Sequence, residues 1–272
     1  MSALEERLGT RLLQRTTRRV SLTDVGEVYY ARAARALDEL RDAESALSDL
    51  RDAPRGVLRL SAPVDIGHDL LTGMLAAYRR AYPEVSVVVE LDNRRVDLVA
   101  EGYDLAIRAS AQLDDSSLVA RKLTSAETQL FASTEYLAAH GTPVRPEDLR
   151  RHELLLFRAP RLRSKPELHH GDERTEVEVT GWLSSTDFVF LRRAMLEGLG
   201  IAALPTFACS RDVASGSVRR VLPEHHAGSS SLYAVYPSAR YLAPKVRAFV
   251  ELAAAQFSAL GTGISSPARS SA

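Results

Sequence analysis

The amino-acid sequence predicts an α/β domain preceded by one long helix. After residue 56, strand-like and helix-like runs alternate with short loops, in the order 57–62, 69–82, 85–91, 94–101 and 103–108. This β-α-β-α-β order is typical of a parallel sheet with helices on its faces. Ahead of it, apolar residues recur at helical spacing until the segment Asp52-Ala53-Pro54-Arg55-Gly56 interrupts the helix. These observations predict a helix and an α/β domain separated by a short break.

The remaining elements follow from the same patterns. Residues 85–91 (VSVVVEL) are apolar enough to predict a strand buried on both faces, as in parallel sheets. Further strands are predicted at 118–123, 129–132, 154–157, 176–180, 201–204 and 232–236. Further helices are predicted at 134–140, 187–197 and 243–257. From Ser258 the chain becomes rich in Gly, Ser and Pro, which predicts a disordered tail over 258–272.

The long helix is predicted to begin at Thr23, a favourable N-cap residue, with Asp24 and Glu27 in the first turn, where the helix dipole favours negative charge. Its apolar residues step alternately by four and three, which is the seam of a coiled coil: Tyr29, Ala33, Ala36, Leu40, Ala43, Leu47 and Leu50. The seam could pack on the chain's own α/β domain or pair with a second copy. We favour a dimer, because Pro54 and Gly56 separate the helix from the rest of the chain.

Composition excludes several classes of protein. The chain has 272 residues, of which 45% are hydrophobic and 26% charged, as in ordinary soluble globular proteins. Thirty-five basic residues balance thirty-five acidic ones, so no global field attracts nucleic acid or a membrane. Cys209 is the only cysteine, which excludes an intrachain disulfide. Because the sequence shows neither the apolar core of a signal peptide nor a membrane span, we expect a cytoplasmic protein.

No catalytic constellation is recognisable in the sequence. It contains no Gly-x-Ser-x-Gly, Gly-x-x-x-x-Gly-Lys or Gly-x-Gly-x-x-Gly motif. The pairs His169-His170 and His225-His226 could suggest a metal, but adjacent strand residues point to opposite faces, and solvated loop histidines are the simpler interpretation. Cys209 follows a predicted core strand and is expected to pack rather than react. The sequence therefore predicts no enzyme, no cofactor and no metal site.

Ligand binding is predicted where strands lead into helices. In open α/β sheets, ligands bind outside the carboxyl ends of strands, where helix N-termini present free backbone N–H groups. Two loops qualify: Ala62, Pro63, Val64 and Asp65 after the first strand, and Ser185, Thr186 and Asp187 before a later helix. Both are also ordinary helix-capping sequences. Arg108 follows a buried strand and could either meet an anionic ligand or be a surface arginine.

A longer motif lies at the N-terminus. Residues 4–26, LEERLGTRLLQRTTRRVSLTDVG, resemble the LysR-type transcriptional regulator signature LExxLGxxLfxRxxrxxxLTxaG. Five later segments resemble successive parts of that family's effector-binding domain: VDLVAEGYDLAIRAS, DDSSLVARKL, EYLAAHGTP, EGLGIAALP and LYAVYPSARYLAPKVRAFVEL. The resemblance covers residues 4–257 and rests on the order and spacing of these segments.

This resemblance implies a winged helix-turn-helix, a dimerising linker helix and a two-subdomain effector domain similar to type 2 periplasmic binding proteins. We accordingly expect a remnant of the winged helix-turn-helix at 1–22, the linker helix and hinge at 23–55, and the effector domain at 56–257. Subdomain I is expected at about 56–132 and 237–257, and subdomain II at about 133–236. In the family the effector lies between the subdomains, which implies that loops 62–65 and 185–187 contact it.

The implied function is that of a bacterial transcriptional regulator that couples a small-molecule effector to promoter DNA as a homodimer or homotetramer. A DNA-binding-deficient effector-binding module and an enzyme on the same scaffold remain alternatives. Two helix N-termini and Arg108 favour an organic or aromatic acid as effector. Asp65 argues against an anion unless its carboxylate caps its own helix.

The sequence departs from the family at its start, since family members carry further residues before this point. We expect the base-reading front of the recognition helix to be missing, through a start-site error, a truncation or the decay of a regulator. The wing, residues 14–22, remains. Four of its side chains are expected to contact DNA phosphates: Arg15, Thr17, Arg18 and Arg19.

We predict that this 272-residue chain binds DNA weakly and with little sequence preference. Phosphate contacts position a protein without reading bases, and binding that rests on counterion release falls steeply with salt. Gel-shift titrations on unrelated duplexes over a range of salt concentrations test this. Nanomolar, sequence-selective binding would contradict it.

Overall fold

In the computed structural model of the chain, residues 2–15, 20–48, 53–110, 118–237 and 242–264 are described. They divide into two compact units, Met1–Ala53 and Pro54–Ala272. The division falls within the break that Pro54 and Gly56 predict.

The first unit contains two helices and a two-stranded antiparallel ribbon. Its elements are α1 (Ser2–Leu8), β1 (Leu13–Arg15), β2 (Val20–Leu22) and α2 (Asp24–Ser48). A carboxylate oxygen of Glu5 accepts the backbone N–H groups of Leu12 and Leu13 at 2.8 and 3.0 Å, which ties α1 to the ribbon. The predicted cap is confirmed, because Thr23 Oγ1 accepts the Gly26 N–H at 2.9 Å. Of the predicted phosphate contacts, Thr17, Arg18, Arg19 and the Arg15 side chain lie outside the described residues.

Helix α2 leaves much of its predicted seam exposed. Tyr29 and Ala33 are half-buried, whereas Ala36 and Leu40 are exposed, Leu40 to 57%. The side chains of Ala43 and Leu47, and all of Leu50, lie outside the described residues. An exposed leucine at a core position of the seam leaves apolar surface for a partner helix, and the dimer stays a prediction.

The second unit is built on one mixed sheet, not on the parallel sheet that the sequence predicts. Within the described residues, ten strands take part, and nine follow the order β4-β3-β5-β14-β6-β12-β7-β11-β8, with β13 paired to β6. These strands are β3 (Gly56–Ala62), β4 (Val85–Leu91), β5 (Leu105–Ser110), β6 (Val119–Ser133), β7 (Leu154–Phe157), β8 (Arg163–Ser164), β11 (Val179–Ser185), β12 (Ile201–Pro205), β13 (Val218–Val221) and β14 (Ser229–Tyr236). A separate antiparallel hairpin joins β9 (Glu167–His170) to β10 (Glu173–Glu176).

Helices cover this sheet. They are α3 (Val64–Ile66), α4 (Thr72–Ala81), α5 (Leu98–Glu101), α6 (Thr134–His140), α7 (Phe188–Leu196), α8 (Thr206–Ser215) and α9 (Pro244–Ile264). A π-helical turn, Gly67–Leu71, joins α3 to α4, and a 3-10 helix spans Pro146–Arg151. Only Pro63 therefore separates β3 from a helix that runs from Val64 to Ala81. Within the described residues, no helix combines the length and the apolar character needed to cross a membrane.

Strand β6 passes from one predicted subdomain to the other. The sequence predicted two strands, 118–123 and 129–132, but a single strand pairs with β14 over Val119–Glu127 and then with β12 and β13. Strand β14 pairs with β5 and β6, and its residues Leu232 and Ala234 pack in the core of subdomain I. On this pairing and packing we assign 229–236 to subdomain I and place the start of subdomain II near residue 128. Because β6 and β14 run antiparallel to their neighbours, the sheet is mixed.

Two further predictions were wrong for local reasons. Strand β4 is not buried on both faces, because it forms the edge of the sheet and leaves Val88 44% exposed. The C-terminal helix continues past Ser258 to Ile264, where we expected a disordered tail. Ala259 and Leu260 are strong helix formers and extend it before Gly261. Residues 265–272 lie outside the described residues.

We predict that Leu40→Asp dissociates the dimer, because it would place a charge in the apolar seam at a cost of several kcal/mol. Light scattering on the full chain measures the change in mass. Ala31→Asp is the matched control, since Ala31 is exposed on the same helix and lies off the seam. An unchanged mass for Leu40→Asp, or an equal loss of mass in both variants, would contradict a dimer formed through the seam.

Candidate ligand-binding cleft

The two loops singled out in the sequence meet across the gap between the subdomains. Asn93, in the loop after β4, connects them. Its Oδ1 accepts the backbone N–H of Val64 at 3.1 Å, and its Nδ2 donates to the carbonyl oxygen of Thr186 at 3.4 Å. The start of the 64–81 helix in subdomain I and the loop before α7 in subdomain II therefore lie on either side of Asn93, and we take the space between them as the candidate cleft.

Asp65 places a carboxyl group in this cleft, where burial disfavours its ionised form. The residue is 8% exposed, and burial raises the pKa of its carboxyl to about 6. The negative charges of Asp69 and Asp187 raise it further, whereas hydrogen bonds from the backbone N–H groups of Asp65 and Ile66 lower it. The backbone N–H groups at the start of its own helix thus favour the ionised carboxyl group, which gains or loses a proton close to neutral pH.

The opposite wall combines capping with exposed polar groups. Asp187 Oδ1 accepts the Phe190 N–H at 2.9 Å, and Ser185 Oγ accepts the Asp187 N–H at 3.1 Å. The capping interpretation is therefore confirmed for Asp187, whereas Ser185 closes a turn just ahead of the helix. Thr186 between them is exposed, and its hydroxyl is available to a ligand.

Arg108 lies on β5 beside the loop that carries Asn93. One of its guanidinium nitrogens donates to the Ile107 carbonyl at 3.0 Å. A second one, Nη2, is buried and has no hydrogen-bond partner among the described residues. Burial, and then the charge of Arg95, lower the pKa of this guanidinium. A buried cationic donor that lacks an acceptor is costly, and an anionic ligand would remove that cost.

Sequence reasoning missed Asn93, although a signal existed. Asp92-Asn93 directly follows β4, which runs parallel to β3, so both strands end at the same edge of the sheet. The carboxyl ends of parallel strands are where α/β proteins bind ligands. Asn93 was overlooked because no helix begins directly after it.

The histidine pairs meet in space, which the sequence did not predict. The rings of His169 and His226 stack at 4.9 Å, and those of His170 and His225 lie 5.0 Å apart on the other side of a short backbone bridge. Nevertheless, no three His, Cys, Asp or Glu side chains of the described residues converge to hold a metal ion. Cys209 is fully buried, and burial raises the pKa of its thiol to about 12, so it packs as expected.

Comparison with known proteins places this architecture in a family. Residues 51–258 match the LysR substrate binding domain, and residues 1–27 match the bacterial regulatory helix-turn-helix of the LysR family. An HTH-type transcriptional regulator of Xanthomonas campestris is 39% identical over 252 residues, which cover 91% of this chain and 73% of that protein. The regulator PtxR of Pseudomonas aeruginosa is 37% identical over 248 residues, which cover 91% of this chain and 79% of PtxR.

A solved structure agrees in fold over nearly the whole chain. The structure of CrgA, a LysR-type transcriptional regulator from Neisseria meningitidis, superposes with a TM-score of 0.68 at 31% identity. The match covers 94% of this chain and 87% of the CrgA chain. With a domain match over most of its length and relatives above 30% identity, the chain belongs to the LysR family of transcriptional regulators.

Proposed function

We propose that this regulator senses a small organic or aromatic acid in the cleft between its subdomains. The observation that carries the proposal is the buried Arg108 Nη2, a cationic donor that has no acceptor within the described part of the chain and lies beside the Asn93 loop. Two helices also begin at the cleft, at Val64 and at Phe188, and their N-termini favour negative charge. A carboxylate would supply the acceptor that Arg108 Nη2 lacks among the described residues.

Asp65 sets a condition on this ligand. An ionised carboxylate at Asp65 would repel an acid, whereas a protonated one would donate a hydrogen bond to it. The pKa of the Asp65 carboxyl is about 6, and an acid bound near it would raise this pKa further. The protein would therefore take up a proton at Asp65 when the acid binds. Binding of the effector would then be coupled to pH.

The effector would act by favouring one arrangement of the subdomains. The Asn93–Thr186 hydrogen bond spans the cleft at 3.4 Å and is exposed, so it contributes little stability of its own. A ligand held by both walls would add contacts that exist in only one arrangement, which is the requirement for shifting a conformational equilibrium. The arrangement would be transmitted to DNA binding through the linker helix.

Two alternatives are tested by the same experiments. A DNA-binding-deficient effector module would bind the acid without any change in DNA binding. An enzyme on the same scaffold would convert the ligand, and mass spectrometry of the recovered ligand would detect this.

We predict that a thermal-shift screen of organic and aromatic acids yields ligands that stabilise the domain. For ligands that bind in the cleft, stabilisation should be lost in Thr186→Ala, which removes the exposed hydroxyl, and in Arg108→Ala, which removes the buried donor. Arg80→Ala is the matched control, because Arg80 is exposed at the far end of the 64–81 helix. If every ligand still stabilises both variants, or if only cations and neutral sugars stabilise the domain, the proposed effector class is wrong.

We also predict that Asp65→Asn changes the pH dependence of stability. The folded pKa of about 6 is raised above the ordinary value of 3.8, so the native protein loses stability as pH rises from about 4 to about 6. The variant should be more stable than the parent at neutral pH, by at most about 3 kcal/mol, and the difference should vanish near pH 4. Urea unfolding at several pH values measures it, with the exposed Asp172→Asn as control. A stability difference between variant and parent that does not vary with pH would contradict the raised pKa of the Asp65 carboxyl.

A further inference from the structure

A cavity of about 460 Å³ lies between the subdomains, further along the same helix from the cleft. Its volume is within the range of natural small-molecule pockets. Subdomain I contributes Asp69, Gly73, Met74 and Phe257, and subdomain II contributes Thr206, Phe207, Arg211 and Arg220. Phe131 of β6, the strand that crosses between the subdomains, also lines it. The helix 64–81 therefore borders the cleft at Asp65 and this cavity from Asp69 onward.

The deep part of the cavity is apolar and carries two donors that lack acceptors. Met74, Phe131 and Phe257 are each at most 3% exposed and form its apolar lining. Thr206 is 7% exposed, and its Oγ1 has no hydrogen-bond partner among the described residues. Arg220 Nε is buried and equally lacks a partner among them.

The backbone fixes where these donors lie. Arg220 of β13 stands directly opposite Phe131 of β6 in the antiparallel ladder, so a cationic donor and an aromatic ring are neighbours in the cavity wall. Thr206 is the first residue of α8, a ten-residue helix whose N-terminus has no side-chain cap. Helix N-termini favour anions. The buried hydroxyl, the guanidinium and the helix start thus favour the same ligand charge.

Asp69 determines the orientation of such a ligand. It lines the cavity, and the charged groups that act on it are His68, Arg192, Arg211 and Asp212. Its carboxylate would repel an anion, so the ligand's negative group is expected at the donors Arg220 Nε and Thr206 Oγ1 and away from Asp69.

We propose that this cavity is a second small-molecule site, distinct from the cleft, for a carboxylate with an apolar body. The carboxylate accepts hydrogen bonds from Arg220 Nε and Thr206 Oγ1, and the body packs on the aromatic and methionine side chains. The ligand contacts α4 and α9 of subdomain I and α8 and β13 of subdomain II. Its binding therefore stabilises the arrangement in which the two subdomains lie close together. The proposal does not depend on which effector the cleft binds.

Calorimetric titration of the full chain with 3-phenylpropionate tests the site, with 3-phenylpropanol as the uncharged comparison. We expect the acid to bind and the alcohol to bind at least tenfold more weakly. Arg220→Met should weaken binding of the acid about tenfold or more, and Thr206→Val several-fold. Thr206→Val should not lower the unfolding midpoint, because the hydroxyl it removes makes no hydrogen bond to any residue that the structure describes.

Gly73 provides a way to block the cavity without disturbing the fold. A Cβ added at Gly73 meets no heavy atom within 4 Å, so larger side chains fit at this position on α4. Gly73→Phe should abolish binding of the acid, whereas Gly73→Ala should preserve it. Thr186→Ala and Arg108→Ala, which alter the cleft, should leave this binding intact.

The same titrations can overturn the proposal. Binding that survives both Gly73→Phe and Arg220→Met, or that is lost only in Thr186→Ala and Arg108→Ala, places the acid in the cleft instead. Equal affinity for the acid and the alcohol would contradict hydrogen bonding of the carboxylate to Arg220 and Thr206. Absence of any binding up to millimolar acid refutes the assignment of an apolar carboxylate to this cavity.

Discussion

The continuous hydrogen-bond ladder along β6 is the constraint on which the effector domain depends. The strand pairs with β14 as far as Glu127, and from Thr128 onward with β12 and β13. Both subdomains are therefore built on one backbone segment and cannot separate without breaking the sheet. The ladder changes partner at 127–128, next to the bonds that join Thr128 to Ala227 and Gly228. A change in subdomain arrangement must be absorbed there, since the cores on either side are closely packed.

The helix from Val64 to Ala81 connects the two candidate ligand sites. Its first turn carries the buried Asp65 at the cleft, and a π-helical turn then leads to Asp69 and the second cavity. Such turns are rare and recur at functional sites. Gly67 in this turn allows close approach to β4, because a Cβ there would come within 2.3 Å of a Leu91 methyl group. A displacement of this helix would alter both sites together, which gives a physical basis for coupling between two ligands.

The N-terminal unit buries only part of its apolar surface within itself. Leu12 is buried, and the Glu5 and Thr23 side chains satisfy backbone groups around it. Helix α2, however, exposes large apolar side chains at Val28, Tyr30, Leu37 and Leu40. A helix of 25 residues with this much exposed apolar surface gains most of its stability from packing against another element. That is the physical argument for an assembly through this helix.

The sequence by itself determined the elements whose signals are local. The Thr23 cap, the break at Pro54, the alternation of strands and helices and the family motif are properties of neighbouring residues, and the two cleft loops were found because strand-to-helix junctions are local too. Tertiary structure decided what depends on distant partners. Strand β4 is apolar but lies at an edge, two predicted strands are one, and Asn93 became a cleft residue only because β3 and β4 end side by side. The same holds for the cavity: nothing local in the sequence marks Thr206 or Arg220, and only the tertiary packing around the cavity leaves Thr206 Oγ1 and Arg220 Nε buried without a partner in the described residues.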